Sequence, residues 1–223
     1  MRIKNMSSQI EKVVYLVRHG QSDANVAPVY QGPDAQLSDA GKVQAKKIAV
    51  RAAGLRFGAL IASPYPRAKE TADIVGQTVG ITPEISELFK ERVRPSGING
   101  KSRNDPEANA VYDEWSKSFF NPGIIVQDAD NYETIVQRAD EALQYLMRRS
   151  EDHIFVVTHS FFLRTIIARV VLKDSLGPET FKHFHNIAST ENTGISVIRF
   201  LVDDQGEGRW QLWIYNDHAH LAE

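Results

Sequence analysis

Three short apolar runs punctuate this chain, and each ends in residues able to carry chemistry. Val13-Val14-Tyr15-Leu16-Val17 is too brief for a helix and rich in β-branched side chains, so it reads as a buried strand. Phe57-Gly58-Ala59-Leu60-Ile61-Ala62 and Ile154-Phe155-Val156-Val157 repeat the pattern. Between them the period lengthens to that of helices. Ser38 is placed to cap a helix over residues 39–53, with Val43, Ile48 and Ala52 on its apolar face and Gly54 closing it. Further helices are expected over 66–79, 106–119, from a capping-box-like Asp130-Asn131-Tyr132-Glu133 to about 150, and 161–172. Residues 81–88 look extended, and 194–201 and 209–215 read as two strands joined by a Gly-rich turn at 203–208.

Strands alternating with helices, then a terminal hairpin, predict an α/β fold: a three-layer sandwich whose largely parallel central sheet has an antiparallel edge and helices on both faces. With no internal repeat or linker, residues 1–223 are expected to form one domain. The least regular stretch, about 92–130, carries Pro95, Gly97, Gly100, Pro106, Pro122 and Gly123. Its length suggests a lid-type insertion, and Tyr112, Trp115, Phe119 and Phe120 suggest that it is ordered or simply give its helix a packing face.

Composition narrows the function. A formal net charge of -2 and a pI near 6.4 provide no global basic field, so neither nucleic acid nor an anionic membrane is an expected partner. The absence of cysteine excludes disulfides, thiolate metal sites and cysteine nucleophiles. Residues 1–12 lack the apolar core of a signal peptide, and no later segment approaches the roughly 18 apolar residues of a membrane span. A soluble, cytoplasmic protein is the expectation.

In a parallel sheet the carboxyl ends of the strands lie on one side, where open α/β sheets bind ligands. The first strand delivers Arg18 and His19 there, with Gly20 allowing a sharp turn; the second delivers Arg67 in the first turn of a helix; the third delivers His159. Taken singly, Arg18 and His19 can mark a strand reaching the surface, and Arg67 is more often a surface cation. Together, two arginines and two imidazoles supply the donors and positive charge that a tetrahedral dianion requires.

Four ordered motifs resemble the histidine phosphatase superfamily, in its phosphoglycerate-mutase-like branch. They are Leu16-Val17-Arg18-His19-Gly20-Gln21-Ser22 followed by Asn25, Leu37-Ser38-Asp39-Ala40-Gly41-Lys42-Val43-Gln44-Ala45, Ser63-Pro64-Tyr65-Pro66-Arg67-Ala68-Lys69-Glu70-Thr71, and Val156-Val157-Thr158-His159. The resemblance spans about residues 13–200. It implies that His19 is a nucleophile that becomes phosphohistidine, and that Arg18, Arg67 and His159 clamp the phosphate with Asn25 facing the same pocket. Glu91 falls where the family keeps its proton donor, and Glu87 is a nearby rival. Ser160-Phe161 replaces a glycine pair, bringing a hydroxyl within reach of the phosphate and a ring that narrows the pocket. Arg92-Val93-Arg94-Pro95-Ser96 replaces the family's glycine-x-tryptophan-glutamate-glycine run, so substrate specificity does not carry over.

The implied activity is hydrolysis of a small phosphomonoester with no cofactor and no metal. A neutral His19 attacks in line, Arg18, Arg67 and a protonated His159 stabilise the transition state, and Glu91 handles the leaving-group proton. Three alternatives stay open. A mutase would return the phosphoryl group to another substrate hydroxyl using the same residues. A non-catalytic phospho-ligand or protein-binding module would keep the fold but predicts a defective His19, Arg67 or His159. A metal hydrolase would draw on His183 and His185 or His218 and His220, a spacing without a matching carboxylate motif.

Overall fold

The computed structural model describes residues 9–23, 29–30 and 32–222. Its six-stranded sheet has the order β3-β2-β4-β1-β5-β6, formed by β1 (Gln9–Arg18), β2 (Ala59–Ala62), β3 (Glu84–Ile85), β4 (His153–Thr158), β5 (Ile195–Val202) and β6 (Gly208–Asp217). β1, β2, β3 and β4 run parallel, while β5 pairs antiparallel with both β1 and β6. The expected mixed sheet is therefore present. β1 begins earlier than its apolar run because Gln9 and Ile10 continue the ladder with β5. The extended stretch over 81–88 shrinks to the two residues of β3, since Glu87–Phe89 turns into a short 3-10 helix.

Strand period explains the layers. Val14 and Leu16 of β1, Ile154 and Val156 of β4, and Ile61 of β2 face one core; Val13, Val17, Phe155, Val157, Leu60 and Ala62 face the other. The second core is closed by α1 (Asp39–Ala52) and α2 (Pro66–Val79) through Ile48, Ala52, Ala72 and Val75. The first is closed by α4 (Tyr132–Arg148), α5 (Ser160–Leu172), α3 (Pro106–Ser118) and α6 (Pro178–Ile187). Each wholly buried Ile, Leu or Phe contributes about 1.5–3 kcal/mol, so the two cores clamp the sheet firmly.

Several details depart from the sequence reading. Val43 is exposed, so the buried stripe of α1 is Ala45, Ile48, Ala49 and Ala52. Gly54 does not close α1 with a left-handed residue; that device occurs at Gly80, φ 77°, after α2. The capping box of α4 is shifted by one: Asn131 Oδ1 accepts from Thr134 N–H at 3.0 Å, and Thr134 Oγ1 accepts from Asn131 N–H at 2.9 Å. Asp130 instead pairs with Arg138 at 2.6 Å and accepts from the N–H of Val93 at 2.7 Å, tying the segment after β3 to α4. α6 was unforeseen, although Pro178 at its first position and a Thr180 Oγ1 that accepts from Gly177 N–H at 2.9 Å mark its start.

Residues 92–130 pack on the first core. Trp115 and Phe119 are essentially inaccessible there, Ile98 is buried in a separate small cluster with Tyr30 and Ala108, and Trp115 Nε1 donates to Asp130 O at 2.8 Å. Among the described residues, no helix is long and apolar enough to cross a membrane.

Candidate active site

The strand order β2-β4-β1 sets three carboxyl ends side by side. Arg18 stands opposite Thr158 in the parallel ladder, His19 N–H donates to Thr158 O at 2.9 Å, and Ser63 N–H donates to Val157 O at 3.0 Å. The residues following the three strands are thereby forced together. The rings of His19 and His159 lie 4.9 Å apart, edge to face. Arg67, in the first turn of α2, donates from Nε to His19 Nε2 at 3.1 Å and from Nη1 to Pro33 O at 3.1 Å.

The tautomer of His19 follows from its partners. Nδ1 lies 2.6 Å from the carbonyl oxygen of Gly20, which can only accept, so Nδ1 carries the proton. Nε2 is then the lone pair, and the Arg67 N–H confirms it as an acceptor. Burial first, then the charges of Arg67 and Arg18, push the His19 pKa well below its usual 6.5, against a smaller upward pull from the Gly20 carbonyl. His19 is a neutral imidazole with one defined basic nitrogen.

Gly20 serves this geometry differently from the expected sharp turn. Its φ is not positive; rather, a Cβ there would sit 2.5 Å from Gly41 O, and a Cβ on Gly41 would sit 1.9 Å from Gln21 O. The start of α1 and the turn after His19 therefore pack backbone against backbone. Thr71 Oγ1 accepts from Gly20 N–H at 3.2 Å, and Asn192 Nδ2 donates to His19 O at 2.9 Å, fixing the turn from both sides.

His159 is inaccessible, and its Nε2 meets Ser63 Oγ at 2.7 Å while Nδ1 lacks a partner. Burial, then Arg67, His19, Arg138 and Arg18, depress its pKa far below 6.5. Desolvation and the surrounding cations thus favour the neutral form of this ring. Arg18 donates from Nη1 to Thr190 O at 2.6 Å and leaves Nε buried without a partner. Ser160 Oγ pairs with Thr190 Oγ1 at 2.8 Å. Asn25 lies outside the described residues.

Glu91 reaches the first turn of α5, where Oε2 accepts from Phe161 N–H at 3.1 Å and Oε1 from Phe162 N–H at 3.0 Å and Arg92 N–H at 3.0 Å. The carboxylate satisfies orphan donors of that helix while lining the cavity. Glu87 points elsewhere: its side chain is 74% exposed and pairs with Lys90 at 3.5 Å.

One cavity of about 390 Å³ is lined by Arg18, His19, Arg67, Glu91 and Ser160, and also by Tyr65, Arg92, Arg94, Arg103, Trp115, Phe161 and Arg164, whereas the inaccessible His159 is not part of its lining. Tyr65 edges the His159 ring at 5.2 Å and lies 5.2 Å from the Arg67 guanidinium carbon. Tyr65, Ser63 and Thr71 stood within a quoted motif without an assigned part, while Asn192 and Thr190 carried no sequence signal, because only the return of the chain before β5 brings them in. The histidines two apart do not assemble a ligand set. His185 is buried against Phe161 and Phe181, and His220 meets Thr193. No group of three or more His, Asp or Glu able to hold a metal occurs among the described residues.

Comparison with known proteins identifies the family of this chain. The profile of the histidine phosphatase superfamily, branch 1, matches residues 14–217. A metal-independent phosphoserine phosphatase of Arabidopsis thaliana is 30% identical over 97% of this chain and 86% of its own length. A phosphoglycerate mutase-like protein of the same plant is 26% identical over 94% of this chain and 87% of its own. Among solved structures, the alpha-ribazole phosphatase of Shigella flexneri superposes with a TM-score of 0.75 at 20% identity, covering 92% of this chain and 96% of that one. A phosphoserine phosphatase of Entamoeba histolytica, in complex with 3-phosphoglyceric acid, gives 0.70 at 22% identity over 94% and 99%. The His19 turn, the Arg67 helix and the His159 strand end are thus set in the fold of a known lineage, and the chain belongs to the histidine phosphatase superfamily, branch 1.

Proposed function

We propose that this protein is a metal-independent phosphatase that hydrolyses small phosphomonoesters through a phosphohistidine at His19. The observation that carries this reading is the tautomer of His19: a neutral ring, proton on Nδ1, basic Nε2 facing a cavity rich in guanidinium groups. As a phosphate dianion enters, the Arg67 N–H passes from Nε2 to a phosphoryl oxygen and frees the lone pair. Nε2 attacks phosphorus in line, the bond to the ester oxygen breaks, and Glu91, entering the step as the protonated acid, delivers its proton to the departing alkoxide. Arg18, Arg67 and Ser160 meet the equatorial oxygens, and the dianion supplies the counter-charge that lets His159 take a proton. Glu91 then takes a proton from water, whose oxygen attacks phosphorus and returns the electron pair to Nε2. The arginines provide the charge stabilisation that other phosphatases draw from metals.

The cavity volume suits a small metabolite. Residues 92–130 serve as its lid within a single domain, and the protein works in the cytoplasm. Brief exposure to a labelled phosphomonoester, followed by quenching, should yield acid-labile, base-stable label on the protein. Label that persists in His19→Ala would remove the assignment. A chase in which the label returns to a substrate hydroxyl instead of water would identify a mutase.

A further inference from the structure

Beyond the 3-10 helix at Glu87–Phe89 the chain runs from Lys90 to Pro95 without regular structure, so no helix or strand ladder serves its carbonyls. Side chains supply the donors instead. Thr158 Oγ1 donates to Phe89 O at 2.7 Å. One guanidinium, that of Arg138 on α4, serves the next two carbonyls, donating from Nη1 to Lys90 O at 2.5 Å and from Nη2 to Glu91 O at 3.4 Å. Nη2 also donates to Asp130 Oδ2 at 2.6 Å, and that oxygen accepts from Val93 N–H at 2.7 Å. Asp130 N–H completes the set by donating to Val93 O at 3.0 Å. The backbone on both sides of Glu91 is thus pinned to α4 and to the segment that leads into it.

The carboxylate of Glu91 is held from the other side, by the N–H groups of Phe161 and Phe162 on α5. The ring of that same Phe162 lies 4.3 Å from the Arg138 guanidinium carbon, so backbone, carboxylate, ring and guanidinium close a circuit through Arg138, Glu91 and Phe162. The circuit is shielded: Phe162 is inaccessible, and the side chains of Arg138 and Asp130 are only 11% and 13% exposed. Water therefore does not replace a partner lost here. Arg138 does not line the cavity, and its charge is matched by Asp130. Such a group fixes a neighbour rather than a ligand, and a rigid planar fork suits the task of meeting two successive carbonyls and a carboxylate at once.

Resting on the reading of Glu91 as the proton donor, we propose that Arg138, braced by Asp130, is the positioning residue of that donor: it fixes the Lys90 and Glu91 carbonyls so that the carboxylate stays between the cavity and the first turn of α5. Without this anchor the segment is free to turn about the backbone bonds beside Glu91, and the carboxylate leaves the place from which it serves the leaving oxygen. A displacement of about 1 Å is enough to cost on the order of a hundredfold in such a step.

The test uses Arg138→Lys, which keeps a charge beside Asp130 but loses the fork, and the double variant Arg138→Gln/Asp130→Asn, which leaves no buried ion unpaired. Arg169→Lys is the control, because Arg169 Nε donates to Asp140 at 2.7 Å between the same two helices without touching Glu91. Amide hydrogen exchange at Phe161 and Phe162, read relative to Ile166 and Ile167 further along α5, reports whether the carboxylate keeps its place. Single-turnover rates with p-nitrophenyl phosphate and an alkyl phosphate report proton donation, since only the alkoxide needs the proton. In both Arg138 variants the relative exchange should quicken by about tenfold or more, and the nitrophenyl-to-alkyl rate ratio should rise by about tenfold, with neither change in Arg169→Lys. Adding Glu91→Gln to Arg138→Lys should raise the ratio no further than Glu91→Gln alone, because a residue that acts through another adds nothing once that one is removed. Unchanged relative exchange in both variants overturns the proposal, as does a ratio that rises in Glu91→Gln but not in the Arg138 variants. Should the two amides lose protection while no variant, Glu91→Gln included, shifts the ratio, the positioning role stands and the proton-donor reading falls.

Discussion

The Nε–H of Arg67 meets the basic Nε2 of His19 at 3.1 Å, so the residue that holds this lone pair is also a cation that can pass to a phosphoryl oxygen in the proposed mechanism. Its planar fork makes this exchange possible, because Nε and Nη1 are fixed relative to each other while Nη1 is anchored on Pro33 O. Arg67→Lys keeps the charge but loses that geometry. A fall in kcat/KM on the order of hundredfold is expected with p-nitrophenyl phosphate, in line with losing one directed donor to a transition-state oxyanion. A loss smaller than about fivefold would mean that the charge alone suffices.

Gly41 is expected to be as intolerant of substitution as any catalytic group, although it touches no substrate. Gly41→Ala drives a Cβ into Gln21 O, a backbone atom that cannot swing aside, and displaces the carbonyl of Gly20 that sets the His19 tautomer. Overpacking of this kind costs about 1–3 kcal/mol, with activity lost as well. Gly54→Ala is the control, since its Cβ would meet nothing nearer than Arg51 O at 3.5 Å. Thermal melting and kcat/KM of the two variants, side by side, check both halves of this expectation.

The contrast between these glycines shows where the sequence was legible. Continuous apolar runs placed β1, β2 and β4, and parallel pairing then brought Arg18, His19, Arg67 and His159 to one edge. Local patterns failed where a tertiary contact decided the outcome. Gly20 is a glycine because Gly41 arrives against it; Asp130 is drawn from capping α4 into a pair with Arg138; Val43 is apolar but faces outward. The run Arg92-Val93-Arg94 carries no local sign that the rings of Phe161, Trp115 and Tyr30 gather its guanidinium groups.

Stability should fall steeply below neutral pH. His185, stacked between Phe161 and Phe181, has its pKa pushed down to about 2, mainly by burial and then by Arg164 and Arg92; His19 and His159 are depressed in the same direction. Above 6.5 these rings are neutral whether the chain is folded or not. As pH drops below 6.5 the unfolded chain takes up protons that the folded one refuses, so stability is lost progressively down to the folded-state pKa. Each such ring contributes up to about 1.4 kcal/mol per pH unit. Urea midpoints between pH 7 and 4 should show this slope, and His185→Phe, which keeps the stack, should reduce it by nearly one ring's share. An unchanged slope in that variant would place the titration elsewhere.

Glu91 gives the sharpest test of the chemistry, because its carboxylate has a structural duty as well as the proposed one. Three N–H groups converge on it from Arg92, Phe161 and Phe162. Glu91→Gln keeps the shape but turns an amide N–H toward one of those donors, costing about 1 kcal/mol of stability. Catalysis should respond differently with different leaving groups. An alkoxide departs poorly without a proton, whereas nitrophenolate is already a stable anion, so Glu91→Gln should slow alkyl phosphates far more than p-nitrophenyl phosphate when phosphorylation of His19 limits the rate. A merely structural role would slow both alike. Burst kinetics must accompany the comparison, since slow hydrolysis of phosphohistidine would also penalise both substrates through the lost general base. Glu87→Gln, altering a side chain that is exposed and paired with Lys90, should leave the ratio of the two rates where it was. A leaving-group contrast in the Glu87 variant and none in the Glu91 variant would transfer the proton donor to Glu87 and leave Glu91 as the cap of α5 alone.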